Sequence, residues 1–145
     1  MARSKFFTPE QASQIKQAIA DAERQTSGEI RVYVESLCTE DVLDRAAWIF
    51  REMGIHRTKD RTGVLVYIAM QSHKLAIIGD AGINKEVSPE FWEGTRDLII
   101  SHLRKDDLVG GIVAGVRQVG DLLHDKFPHR KDDKNELPDE VVCGQ

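Results

Sequence analysis

The chain has 145 residues, 41% hydrophobic and 30% charged, enough to fold as one domain around its own core without disulfide support. A formal net charge of -4 and a pI near 5.7 leave no dominant basic face, which argues against a nucleic-acid partner held by counterion release. No apolar run approaches the roughly 20 residues of a membrane span, and the N-terminus turns into a helix cap before a signal-peptide core can form. The expectation is a soluble, cytoplasmic protein with no membrane span. Cys38 and Cys143 belong to no CxxC pair, which suits a reducing compartment and excludes a zinc knuckle.

The elements follow in order. Thr8-Pro9-Glu10-Gln11 is a capping box, with Thr8 as N-cap and Gln11 reaching back. The helix it opens carries Ala12, Ile15, Ala18, Ile19 and Ala22 at helical spacing and stops at Ser27-Gly28. Glu29 to Ser36 then alternates: Ile30, Val32 and Val34 share one face, Glu29, Arg31, Tyr33 and Glu35 the other, predicting a half-buried strand. Thr39-Glu40-Asp41 opens a second helix, with Thr39 as its cap and Val42, Ala46, Ile49, Phe50 and Met53 facing inward, ended by Gly54. Val64 to Met70 and Lys74 to Gly79 read as a hairpin around Gln71-Ser72-His73. Its first strand is apolar on both faces and therefore central.

Gly79-Asp80-Ala81-Gly82 reads as a flexible turn with one carboxylate at its apex. Ser88-Pro89-Glu90 caps a third helix, whose Phe91 and Trp92 are core or domain-edge aromatics. Asp106 or Asp107 caps a fourth, with Leu108, Ile112, Val116, Val119 and Leu123 inward. Gly111 and Gly115 lower that helix's propensity by about 1 kcal/mol each, and close approach to the sheet is the expected compensation. Residues 1–127 are read as the single domain and 128–145 as an irregular tail.

Strand one reaches strand two through a helix, so these two run parallel with a right-handed crossover, and the hairpin makes the third antiparallel. The predicted fold class is α/β: a three-layer α/β/α sandwich on a small mixed sheet of two parallel strands plus an antiparallel hairpin strand.

Five blocks carry a resemblance. Thr26-Ser-Gly-Glu-Ile-Arg-Val, Thr62-Gly-Val-Leu-Val-Tyr-Ile-Ala, Lys74-Leu-Ala-Ile-Ile-Gly-Asp-Ala-Gly-Ile, Phe91-Trp92 and Asn135-Glu-Leu-Pro-Asp-Glu together resemble the TPM domain, the family of thylakoid-lumen acid-phosphatase-like and photosystem-repair proteins. The resemblance spans Phe6 to Glu140 and implies an α/β/α sandwich, a calcium site and a weak phosphatase activity in some members.

The predicted topology sets Glu29, Asp60 and Asp80 at one sheet edge, beside Gly28, Gly79 and Gly82. Three carboxylates near turning carbonyls suit a hard cation such as Ca²⁺, which takes about six to eight oxygens. The competing reading makes Asp60 a loop-solvating residue, Asp80 an Asx-type turn former, and Glu29 a charge paired with Arg31 or Lys74. At the opposite edge, beyond the carboxyl ends of the parallel strands, stand Ser36, Cys38, Glu40, Asp41 and His73. The sixth residue after Cys38 is Asp44 rather than the arginine a cysteine phosphatase needs, and no phosphate loop or metal-spaced histidine pair appears. The sequence reading is a stand-alone binding or assembly-assisting module with a Ca²⁺ site and an unnamed protein partner. The alternative is a weak metal-dependent acid phosphatase using the same carboxylates.

Overall fold

A computed structural model describes residues 6–128 and 141–144. The elements are α1 (Pro9–Glu23), β1 (Glu29–Glu35), α2 (Val42–Glu52), a 3-10 turn (Ile55–Arg57), β2 (Gly63–Ala69), β3 (Lys74–Gly79), α3 (Ala81–Asn84), α4 (Pro89–Leu103), α5 (Leu108–Lys126) and β4 (Val142–Cys143). One mixed sheet has the order β3-β2-β1-β4. β1 and β2 are parallel, with Glu29 opposite Gly63 and Glu35 opposite Ala69. β3 is antiparallel to β2, with Val64 opposite Gly79.

Two cores lie on opposite faces of this sheet. Ile30, Val32, Val34, Val64, Val66 and Ile68 meet Ile15 and Ile19 of α1, Ile99 of α4, and Ile112, Val116, Val119 and Leu123 of α5. Leu65, Tyr67, Ala69 and Ala76 meet Ala46, Ile49 and Phe50 of α2 and Ile55 of the 3-10 turn. This is the α/β/α sandwich that the alternation of elements predicts.

β1 departs from its predicted half-burial. Arg31 is 1% exposed, and Glu29 and Glu35 are each 4% exposed. Alternation marked these residues as polar, but polar residues enter an interior when ion pairs and hydrogen bonds satisfy them, and both ends of this face carry such pairs. The tail also differs where it is described. Val142 and Cys143 extend the sheet beside Tyr33 and Val34, too short a strand for any periodicity to show. The Gly144 N–H then donates to the Val34 carbonyl at 2.7 Å. A Cβ on Gly144 would lie 2.6 Å from the Tyr33 hydroxyl, so the chain passes there without a side chain. The rest of the irregular tail, residues 129–140 and 145, lies outside the described residues.

The capping box at Thr8 and Gln11 forms as read. The cap of α2 is Asp41 rather than Thr39, its carboxylate accepting from the Leu43 and Asp44 N–H groups at 2.9 and 3.2 Å. The glycines of α5 serve helix packing rather than approach to the sheet. A Cβ on Gly115 would lie 2.6 Å from Ile99 Cδ1, one on Gly111 3.0 Å from His102 Cβ, both on α4, and one on Gly120 2.7 Å from Ala22 Cβ on α1. Phe91 and Trp92 meet edge to face at 5.2 Å, and Trp92 closes over Gly79 at the end of β3.

Candidate functional site

The backbone brings the three predicted carboxylates to one edge. Glu29 opens β1 and its N–H donates to the Thr62 carbonyl at 3.1 Å, while the Asp80 N–H donates to the Gly63 carbonyl at 2.9 Å. The loop holding Asp60 passes so close to α3 that a Cβ on Gly82 would lie 2.4 Å from the Asp60 carbonyl oxygen.

The side chains have other engagements. Asp80, 5% exposed, receives Arg61 Nε at 2.7 Å and Arg61 Nη2 at 2.8 Å, and also accepts the Ala81 N–H at 2.7 Å as the N-cap of α3. The expected flexible turn is thus a capped helical start. Arg61 reaches Asp80 from a left-handed backbone, φ 56°, and these hydrogen bonds raise its pKa above the ordinary guanidinium value. Glu29 Oε1 faces Arg31 Nη2 at 3.4 Å, and Arg31 Nη1 donates to Glu23 Oε2 at 2.8 Å. Asp60 is exposed. Turn formation by Asp80 and pairing of Glu29 with Arg31 were the structural alternatives in the sequence, and both contacts are present.

Among the described residues no group of three or more His, Cys, Asp or Glu lies close enough to hold a metal. An ion using Asp80 would need Arg61 to let go. In the same loop the Thr58 hydroxyl is buried with no hydrogen-bond partner.

At the opposite edge the polar groups are structural ties. The Cys38 N–H donates to Ser72 Oγ at 2.8 Å, its thiol to the Glu40 carbonyl at 3.3 Å, and Lys74 Nζ to the Cys38 and Glu40 carbonyls at 3.1 and 3.0 Å. The Ser36 carbonyl accepts the Gln71 N–H at 2.7 Å, and His73 sits in the tight turn with φ 54°.

Sequence reasoning missed a cluster just inside this edge. Arg45 of α2 donates Nε and Nη2 to the two Glu35 oxygens, both at 2.9 Å, and the Tyr67 hydroxyl donates to Glu35 as well. Burial pushes the Glu35 carboxyl up, but the hydrogen bonds from Arg45 and Tyr67 outweigh it and hold the group below its ordinary value of 4.5. Burial, and then donation to Glu35, drive the Tyr67 phenol well above its ordinary value of 10.0. A carboxylate so held is a poor base and a phenol so held a poor acid, so the cluster fixes α2 to the sheet rather than moving protons. Its one signal in the sequence is Glu35 on a strand face that must meet a helix.

Arg45 also carries the Trp48 ring 4.9 Å from its guanidinium carbon. Trp48 is 52% exposed, and with Leu37 at 54% and Leu43 at 59% it makes up the exposed large hydrophobics of the described residues.

The TPM domain family model (TPM_phosphatase) matches residues 1–122, and the chain belongs to that family. Its structure is similar to the NMR structure of the BA42 protein from the psychrophilic bacterium Bizionia argentinensis, at 40% identity and TM-score 0.91 over 99% of each chain. Two more distant likenesses show the fold alone. The N-terminal domain of a P. gingivalis protein shares 18% identity at TM-score 0.71, covering 87% of this chain and 83% of that one. The N-terminal domain of the cg2496 protein from Corynebacterium glutamicum shares 15% identity at TM-score 0.63, covering 81% of this chain and 74% of that one. No curated protein matches the chain. No helix of the described residues is long and apolar enough to cross a membrane.

Proposed function

We propose that this TPM domain is a binding module that docks a protein partner on the surface of α2 and the loop before it. One observation carries the reading: Leu37, Leu43 and Trp48, more than half exposed, lie within twelve residues of chain at the carboxyl end of β1 and on α2. Trp is prominent among the residues that dominate binding energy, and an exposed Trp held in place beside exposed leucines is a natural anchor for a partner. The ionised groups beneath them are paired, which supports a rigid platform rather than a proton-transfer site.

Peptides selected from a displayed library against the wild-type chain, and counter-selected against a Leu43→Ala/Trp48→Ala double variant, test this. The expected winners protect the amides of residues 37–48 from hydrogen exchange. Winners that map to another surface would remove the proposal.

A second reading is a weak metal-dependent phosphatase at the amino edge, favoured by the name TPM_phosphatase and by the unpartnered Thr58 hydroxyl. Asp80, Asp60 and Glu29 would be the carboxylates that hold a cation such as Ca²⁺ there, with Arg61 displaced from Asp80. A bound divalent ion would polarise a phosphoryl oxygen or lower the pKa of a bound water. The test is hydrolysis of a generic phosphomonoester with and without chelator, beside melting curves with and without Ca²⁺. The expected result is turnover lost with chelator and with Asp80→Asn, and a melting temperature that Ca²⁺ raises by mass action. Neither turnover nor a Ca²⁺-dependent melting temperature would end this reading.

A further inference from the structure

We infer that the segment docking on α2 is cationic and apolar: one or two bulky apolar side chains flanked by Lys or Arg. This rests on the docking reading above and adds the chemistry of the partner.

The apolar part is set in place before any partner arrives. Trp48 lies against the Arg45 guanidinium, which two 2.9 Å hydrogen bonds anchor to buried Glu35, so the exposed ring is tied through one residue to the central sheet. An anchor ordered in advance loses little freedom on binding. Leu37 follows Glu35 by two residues, and Leu43, in the first turn of α2, stands about 140° around the helix from Trp48, so Trp48 is the anchor and the two leucines flank the approach to α2 from its amino end.

The charge along that approach has one prevailing sign. Glu40, Asp41 and Asp44 are all exposed between Leu37 and Trp48. Asp44 is one helical turn before Trp48 and therefore on the same side of α2. The charge of Arg45 is matched by Glu35, and Lys74, held on the Cys38 and Glu40 carbonyls, is the basic neighbour beside these three acids. At the carboxyl end of α2, exposed Arg51 is followed by exposed Glu52. The rim around the apolar residues is therefore net negative. Complementarity selects a positively charged segment and disfavours both an acidic peptide and an anionic lipid surface.

The experiment uses the whole chain and two short amphipathic probes of the same pattern, a Lys–Leu peptide and a Glu–Leu peptide, followed by amide and indole NMR shifts. The Lys–Leu peptide is expected to shift residues 37–51 and the Trp48 indole, with an affinity that falls as salt is raised. Trp48→Ala is expected to weaken it about tenfold, and the double reversal Glu40→Lys/Asp44→Lys by a similar factor. All three positions are exposed and Glu40 lies outside the helix, so amide spectra of the variants separate lost docking from lost fold. Equal binding of the Glu–Leu peptide at this face overturns the charge assignment and leaves the docking reading standing. Absence of binding by either peptide counts against both. Self-association lost in Trp48→Ala, seen by sedimentation, would make the occupant a second copy of this chain and overturn the inference.

Discussion

Arg61 and Asp80 hold one another through two parallel hydrogen bonds of 2.7 and 2.8 Å, and the same carboxylate caps α3. The pair locks the loop that enters β2 to the turn that leaves β3, so each residue's value depends on the other's presence. Arg61→Ala leaves a buried carboxylate without its counter-charge, and Asp80→Asn removes the negative charge and one of the two acceptor oxygens that hold Arg61. Each single change should lower the melting temperature. The double variant should lose less than the two losses added, and strict additivity in a thermal double-mutant cycle would show the pair to be uncoupled.

Val66 lies in β2, 1% exposed in the core shared with α1, α4 and α5, whereas Tyr33 is half-buried and stacks on Tyr67 at 6.2 Å between ring centres. Val66→Asp places an unpaired charge among hydrocarbons and should remove about 3 kcal/mol or more of stability. Tyr33→Ser loses one stacked ring from a partly wet face and should remove about 1 kcal/mol. Urea denaturation measures both, and equal losses would mean that the Tyr33 face of β1 supports the fold as strongly as the core face of β2.

Two glycines separate backbone crowding from side-chain crowding. A Cβ on Gly82 would meet the carbonyl oxygens of Asp60 and Arg61 at 2.4 and 2.6 Å, and backbone cannot step aside without moving the loop. Gly82→Ala should therefore cost about 1–3 kcal/mol. A Cβ on Gly115 would meet both Cδ1 and Cγ1 of Ile99 at 2.6 and 2.8 Å, and Ile99 is fully buried and β-branched, so only its terminal Cδ1 can turn aside easily. Alanine restores about 1 kcal/mol of helix propensity against that overpacking, so Gly115→Ala should destabilise in the same denaturation assay, but by less than Gly82→Ala.

The sandwich was legible because three signals agreed: helical spacing in α1, α2 and α5, the doubly apolar β2, and a break at Gln71-Ser72-His73 too short for anything but a hairpin. The corner made by Glu35, Arg45 and Tyr67 was not. Alternation labels Glu35 polar and hence outward, and no local rule says that a helix ten residues on will bring an arginine back to it. β4 escaped for the opposite reason, since two residues carry no period. For Glu29, Asp60 and Asp80 the topology was readable, and so, as the competing reading, were the Arg31 partner of Glu29 and the turn-forming role of Asp80; the Arg61 partner of Asp80 was not, because Arg61 reaches it from a left-handed backbone that arginine seldom adopts.

The last prediction concerns pH and the Glu35 cluster. Glu35 has a folded pKa below its ordinary 4.5, so its contribution is complete above that value. As pH falls below about 4.5 the unfolded chain takes up the proton first, and stability declines until the folded carboxyl is protonated as well. Tyr67 is shifted the other way. Its folded pKa lies above the ordinary 10.0, so above that pH the unfolded chain ionises first and stability declines again. Arg45→Ala should remove the larger of the two hydrogen-bonding contributions that lower the Glu35 pKa, leaving that of Tyr67, and so flatten the acid limb while lowering stability at neutral pH. Tyr67→Phe should flatten the alkaline limb and leave the bidentate Arg45 pair in place. Unfolding free energies of the wild type and both variants, measured across pH, decide the matter: an acid limb in Arg45→Ala parallel to that of the wild type would show that Glu35 does not draw its stabilising role from this pair.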